Sequence, residues 1–227
     1  MRRRQFTTGA MVFAGAGIWA SKARALSDSD AASGVRAALE RGAVAALGLL
    51  GRPDGFLGNP KVRIPLPGAL EKAAKLLKAT GQQRRVDELV TAMNRAAEAA
   101  VPQARELLVS AVRSMTVEDA VQVVRGGDTS VTDFFARKTR EPLTQKFLPI
   151  VARSTEKVSL AAKYDAVAGK AASLGLVKKE DADLEGYVTR KALDGLYLMI
   201  GEEEKKIRRD PIGTGSAILK QVFGSLK

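Results

Sequence analysis

The chain has 227 residues, 45% of them hydrophobic but only 5% aromatic, and a formal net charge of +12. That length allows a sizeable core, and the alanine-rich, aromatic-poor mix favours closely packed helices over a sandwich or barrel. Histidine and cysteine are absent, which excludes thiolate catalysis, disulfides, His-based triads, and zinc or haem held through those residues.

The first 25 residues read as a cleavable export signal. Arg2, Arg3 and Arg4 precede an apolar stretch from Gly9 to Ala20, and Ala23-Arg24-Ala25 is a small-x-small cleavage pattern. The apolar stretch is too short to span a bilayer. Arg3-Arg4-Gln5-Phe6 resembles a twin-arginine export motif, and Gly9, Gly15 and Gly17 with Lys22 and Arg24 fit that route. An ordinary secretory signal is the other reading. Cleavage after Ala25 makes residues 26–227 the mature chain and its location periplasmic or otherwise exported. The leader carries Arg2, Arg3, Arg4, Lys22 and Arg24 and no acid, so its removal lowers the net charge from +12 to +7. An exported protein meets little nucleic acid. The basic balance reads as a mixed-charge surface, or else as attraction to anionic headgroups or cell-wall polymers.

The mature chain is predicted to be all-α, a single multi-helix domain. Ser27 to Asp30 offers capping groups, and Ala31 to Leu50 forms a helix with Val35, Leu39, Val44 and Leu47 toward the core. Gly51 to Gly55 breaks it. An extended, proline-containing arm follows over residues 59–67. Val62, Ile64 and Leu66 fall on one side of the arm and Lys61, Arg63 and Pro65 on the other. Pro65 and Pro67 cannot donate to a ladder, so this is no central strand. Pro67 opens a helix running to Ala79. Gln82 to Ser114 is helical with a break at Pro102. Thr116 caps a helix that ends at Gly126-Gly127. Asp128 caps another carrying Phe134 and Phe135, and a new helix begins at Glu141-Pro142, with a bend at Pro149. Tyr164 to Leu174 is short. Asp181 to Arg209 is the longest clean stretch, and Gly213 to Lys227 is a last amphipathic helix.

DGFLGNPKVRIPLP, DELVTAMNRAAEAAVP, MTVEDA, GGDTSVTDFF, LTQKFLPIV and KALDGLYLMIGEEEKKIRRDP occur together in this chain. With them, residues 27–226 resemble the bacterial family catalogued as domain of unknown function 4197. The resemblance implies a helical, exported or envelope protein with no settled activity. It also implies that many relatives carry a secretory or lipoprotein-type signal; without cysteine, the lipoprotein form is closed to this chain.

Asn94 and Glu98 share one helix face at i,i+4 spacing. They read either as a ligand or metal contact or as a structural hydrogen-bond pair fixing the Asn59–Leu70 arm. Asn94, Glu98, Asp119 and Asp128 are the candidates for carboxylate and amide catalysis, and Lys61, Arg63 and Asn94 those for ligand binding at the lip of a groove. Glu202 to Lys206 reads as a solvated, self-paired helix face, with Glu202–Lys206, Glu204–Arg208 and Lys205–Arg209 at i,i+4. Asp181-x-Asp183-x-Glu185 imitates a calcium loop, but Ala192 stands where its bidentate Glu belongs, so Asp181 or Asp183 reads as a helix cap. Ser154-x-x-Lys157 lacks the partner motifs of acyl-enzymes. No P-loop or dinucleotide fingerprint occurs, so no cofactor and no metal are expected. Ile218, Leu219, Val222, Phe223 and Leu226 form an apolar stripe for packing on the domain, or for a membrane interface or partner. The function expected is a binding or scaffolding protein of the envelope. The alternatives are a carboxylate-based enzyme, a calcium- or magnesium-binding protein, and a peripheral membrane protein.

Overall fold

The computed structural model describes residues 28–68, 71, 79, 81, 83–127, 129–156 and 183–210. Six α-helices lie among them: α1 (Asp28–Leu50), α2 (Gln83–Ala100), α3 (Arg105–Arg113), α4 (Val117–Arg125), α5 (Ser130–Thr155) and α6 (Leu184–Arg209). No strand occurs among the described residues. The structure is all-α, as the sequence predicts. The helices predicted over 67–79, 164–174 and 213–227, the export leader and Asp128 lie largely or wholly outside the described residues.

α5 and α6 pack along each other, α2 lies against α5, and α1 crosses α6 and the short helices α3 and α4. Phe56, Phe134, Phe135, Phe147 and Tyr197 are the largest buried side chains of the core. Val35, Leu39 and Leu47 of α1 are buried as expected, whereas Val44 is half-buried. Arg36 ties α1 to the α3–α4 junction by donating twice to the Met115 carbonyl, at 3.1 and 2.8 Å.

Pro102 breaks the α2–α3 run as predicted, where a 3-10 turn (Val101–Ala104) joins the two helices. α4 begins with a capping box: Asp119 N–H donates to Thr116 Oγ1 at 3.0 Å, and Thr116 N–H donates to Asp119 Oδ2 at 3.1 Å. Asp183 caps α6 by accepting from Glu185 N–H at 3.1 Å, and the helix ends at Asp210.

One expectation is overturned. No new helix starts at Glu141; α5 runs unbroken from Ser130 to Thr155 through Pro142 and Pro149. Its buried stripe explains this. Phe135, Thr139, Leu143, Phe147 and Val151 recur every four residues and are all buried, so a break would take half of them out of the core. The carbonyls left without their usual donors belong to Lys138 and Gln145, both exposed, where water can bond them.

The arm is two-sided as its alternation predicts but not extended throughout: Asn59 to Val62 form a turn, with Val62 and Arg63 N–H both donating to the Asn59 carbonyl at 3.1 and 2.8 Å, and only 63–67 run on without regular structure. Val62 and Ile64 are buried and Leu66 half-buried, while Lys61, Arg63 and Pro65 are exposed. It lies over α6 at Gly195, where an added Cβ would meet the Phe56 ring at 2.8 Å and Val62 at 3.2 Å. Close approach of arm and helix therefore requires the missing side chain. Gly55 is constrained as tightly: a Cβ there would lie 2.4 Å from the Leu50 carbonyl.

Candidate functional site

Asn94 and Glu98 come from consecutive turns of α2 and both face the segment that carries the arm. Asn94 treats Ile64 as a neighbouring strand would. Ile64 N–H donates to Asn94 Oδ1 at 2.8 Å, and Asn94 Nδ2 donates back to the Ile64 carbonyl at 3.0 Å. Its second amide hydrogen goes to the Val90 carbonyl at 2.8 Å. One turn on, Glu98 Oε1 accepts the backbone N–H groups of Phe56 (3.0 Å) and Leu57 (3.1 Å). Glu98 Oε2 accepts from Arg95 Nη1 at 2.7 Å, and Arg95 reaches Asp54 with its other nitrogen at 2.8 Å. Glu98 beside it raises the Arg95 pKa above its ordinary value. Asp54 itself sits in a left-handed turn, with φ 63°. A chain with no neighbouring strand thus has its buried backbone groups met by side chains of a helix.

The other acids lie elsewhere. Asp119 is engaged in the α4 capping box, and Asp128 lies outside the described residues. No group of three or more acids is placed to hold a metal ion among the described residues. Ser154 donates to the Ile150 carbonyl at 2.9 Å, an ordinary helix contact.

The solvent side of the arm and one face of α6 enclose a groove of about 200 Å³. Lys61, Arg63 and Pro65 line the arm wall; Lys191, Asp194 and Leu198 line the helix wall, with Gly195 between. Lys61 and Arg63 were legible as its lip. The helix wall was missed, although 191, 194, 195 and 198 share one face by their i, i+3, i+4, i+7 spacing. Lys61 Nζ pairs with Glu202 at 2.6 Å, a bond that holds the Glu202 carboxyl below its usual pKa. Asp194 accepts from Arg140 at 3.0 Å, and Arg140 also lies over the Tyr197 ring. Lys191 leans over the Tyr187 ring, 5.8 Å from its centre. The Tyr187 hydroxyl donates to the Pro65 carbonyl at 3.2 Å, fastening the arm at its far end.

The acidic run at the end of α6 corrects the expectation of a solvated face. Glu202 pairs with Lys61 and Lys205, and Glu203 with Lys206. Glu204 is 5% exposed and pairs with Arg208, which also donates to the Val123 and Val124 carbonyls and to Ser130 Oγ. Burial raises the Glu204 pKa above the usual carboxylate value, despite Arg208. Its Oε2 has no hydrogen-bond partner.

One protein-family model, described as "Protein of unknown function (DUF4197)", matches residues 25–224. No curated protein and no solved structure matches the chain.

Proposed function

The chain belongs to the family of proteins of unknown function DUF4197, and within that family we propose that it is an exported binding or scaffolding protein of the cell envelope, not an enzyme. One observation carries this reading: the polar pair best placed for chemistry is consumed by the protein's own backbone. Both Asn94 amide hydrogens and its oxygen are bonded, and both Glu98 oxygens are occupied. A general base or metal ligand needs a lone pair directed at a substrate or ion. Here those lone pairs hold Ile64, Phe56, Leu57 and Arg95. What remains open is the groove between the arm and α6, walled by Lys61, Arg63 and Lys191, by Asp194, and by the apolar Leu198. Export rests on the leader's composition: Arg2, Arg3 and Arg4, the apolar stretch and Ala23-Arg24-Ala25. No described helix is long and apolar enough to cross a membrane.

Native mass spectrometry of the protein taken from its own periplasm tests the reading. The expected spectrum shows a mature chain beginning at Leu26 carrying a non-covalent ligand or partner. A bare mature chain that turns over a substrate, with turnover lost in Glu98→Gln, would contradict it.

A further inference from the structure

The groove between the arm and α6 has a charge pattern that selects its ligand. Its acids are already matched: Asp194 with Arg140, and Glu202, just beyond the rim, with Lys61. Arg63 and Lys191, on opposite walls, have no carboxylate within ion-pairing distance among the described residues. Both are exposed, so an anion can reach them. The groove's lining therefore carries more positive than negative charge, with Lys61, Arg63 and Lys191 against Asp194.

The backbone of the arm around Ile64 and Pro65 is already taken. The Ile64 N–H and carbonyl are taken by Asn94, Pro65 has no N–H, and its carbonyl accepts from Tyr187. At Ile64 and Pro65 the arm offers no strand-pairing N–H. Recognition falls to side chains. At the other end of the helix wall stands Leu198, 44% exposed and one of the few large apolar side chains open to solvent among the described residues. From Lys191 to Leu198 is about 10 Å along the helix axis.

We propose that this groove binds a small organic anion, with a phosphate or carboxylate between Arg63 and Lys191 and a short apolar tail on Leu198. This deepens the reading of the protein as a binding protein and rests on it. The pocket is sized for one small molecule, and Arg63 and Lys191, neither paired with a carboxylate among the described residues, sit on separate elements held in register by Lys61–Glu202 and Tyr187–Pro65.

Calorimetric titration of the mature protein with hexyl phosphate, hexanoate, inorganic phosphate and hexanol tests the proposal. Hexyl phosphate or hexanoate should bind, inorganic phosphate more weakly, and hexanol not measurably. Arg63→Ala and Lys191→Ala should each weaken the organic anion by roughly tenfold or more, the usual loss of a charge-assisted hydrogen bond. Leu198→Ser should weaken hexyl phosphate and leave inorganic phosphate unchanged. Arg84→Ala, on the exposed outer face of α2, should change nothing. Wild-type affinity in the Arg63→Ala/Lys191→Ala double variant, or no binding of either organic anion, would overturn the proposal. So would co-sedimentation with phosphatidylglycerol vesicles that the double variant loses while hexyl phosphate fails to bind, since the anion would then be a bilayer headgroup. A natural ligand that stays on the double variant in native mass spectra would sink the anion groove alone and leave the binding-protein reading standing.

Discussion

At the scale of the residue, the most consequential group is the Glu98 carboxylate, 4% exposed and receiving two backbone N–H groups. Glu98→Ala should destabilise the protein by about 1–3 kcal/mol, because the Phe56 and Leu57 N–H groups lose their acceptor. Glu98→Gln keeps an acceptor oxygen and should cost less. Urea unfolding of the two variants checks the order; an alanine variant as stable as the glutamine variant would mean the N–H groups find other partners. Glu204 behaves differently. Its folded pKa lies above the value of 4.5 for a free carboxyl. The native state therefore binds this proton more tightly than the unfolded chain, and the stability from Glu204 is fully present at low pH and lost as the pH rises through the raised pKa. Glu204→Gln should gain on wild type as the pH rises from about 4.5 toward neutrality. Unfolding free energies across that range check it, and a variant that instead falls behind wild type as the pH rises would contradict the assignment. The i,i+4 spacing of Asn94 and Glu98 was legible in the sequence, and so, as one of two readings, was Asn94's hold on the arm at Ile64; the Glu98 partners Phe56 and Leu57 lie before Asn59 and were not. Glu204 looked like its neighbours. The signal that sets it apart is phase: it falls four residues after buried Ile200, on the stripe that also carries Leu193 and Tyr197.

At the scale of the element, the arm is a turn over Asn59 to Val62 followed by a segment without regular structure over 63–67, with no sheet to join among the described residues. Its alternation was readable because strand geometry alone puts successive side chains on opposite sides. Ile64→Asp should lower stability by a few kcal/mol or more, since the new carboxylate is fully buried against apolar neighbours. Arg63→Ala, exposed and without an ion pair among the described residues, should leave it within about 0.5 kcal/mol of wild type. Thermal melts of the pair decide the matter: equal, near-native melting would mean the arm is not packed. α5 shows where local rules fail. Proline chemistry predicts a boundary at Pro142, yet five buried residues spaced by four hold the helix through it. Packing outweighs the roughly 3 kcal/mol local cost of an interior proline. The capping box at Thr116 and the break at Pro102 were legible because nothing in the tertiary structure opposes them.

At the scale of the whole molecule, a helical body is closed along one side by a proline-bearing arm, itself held by side chains from α2 and α6. The helix wall of the groove could not be read from sequence, since only the fold brings residues 61–65 beside 191–198. For export, replacing Arg3 and Arg4 by Lys should stop translocation if the leader uses the twin-arginine route; unchanged export in a strain lacking that translocase would contradict it. The central claim is that the Asn94–Glu98 pair is spent on the arm and is not a catalytic or metal site. The most direct test is the melting temperature of wild type and Glu98→Gln, each with and without added calcium or magnesium. The account predicts that neither protein responds to metal and that the two differ by the same small amount throughout. A wild-type melting temperature that rises with metal, and a Glu98→Gln variant that no longer responds, would contradict it.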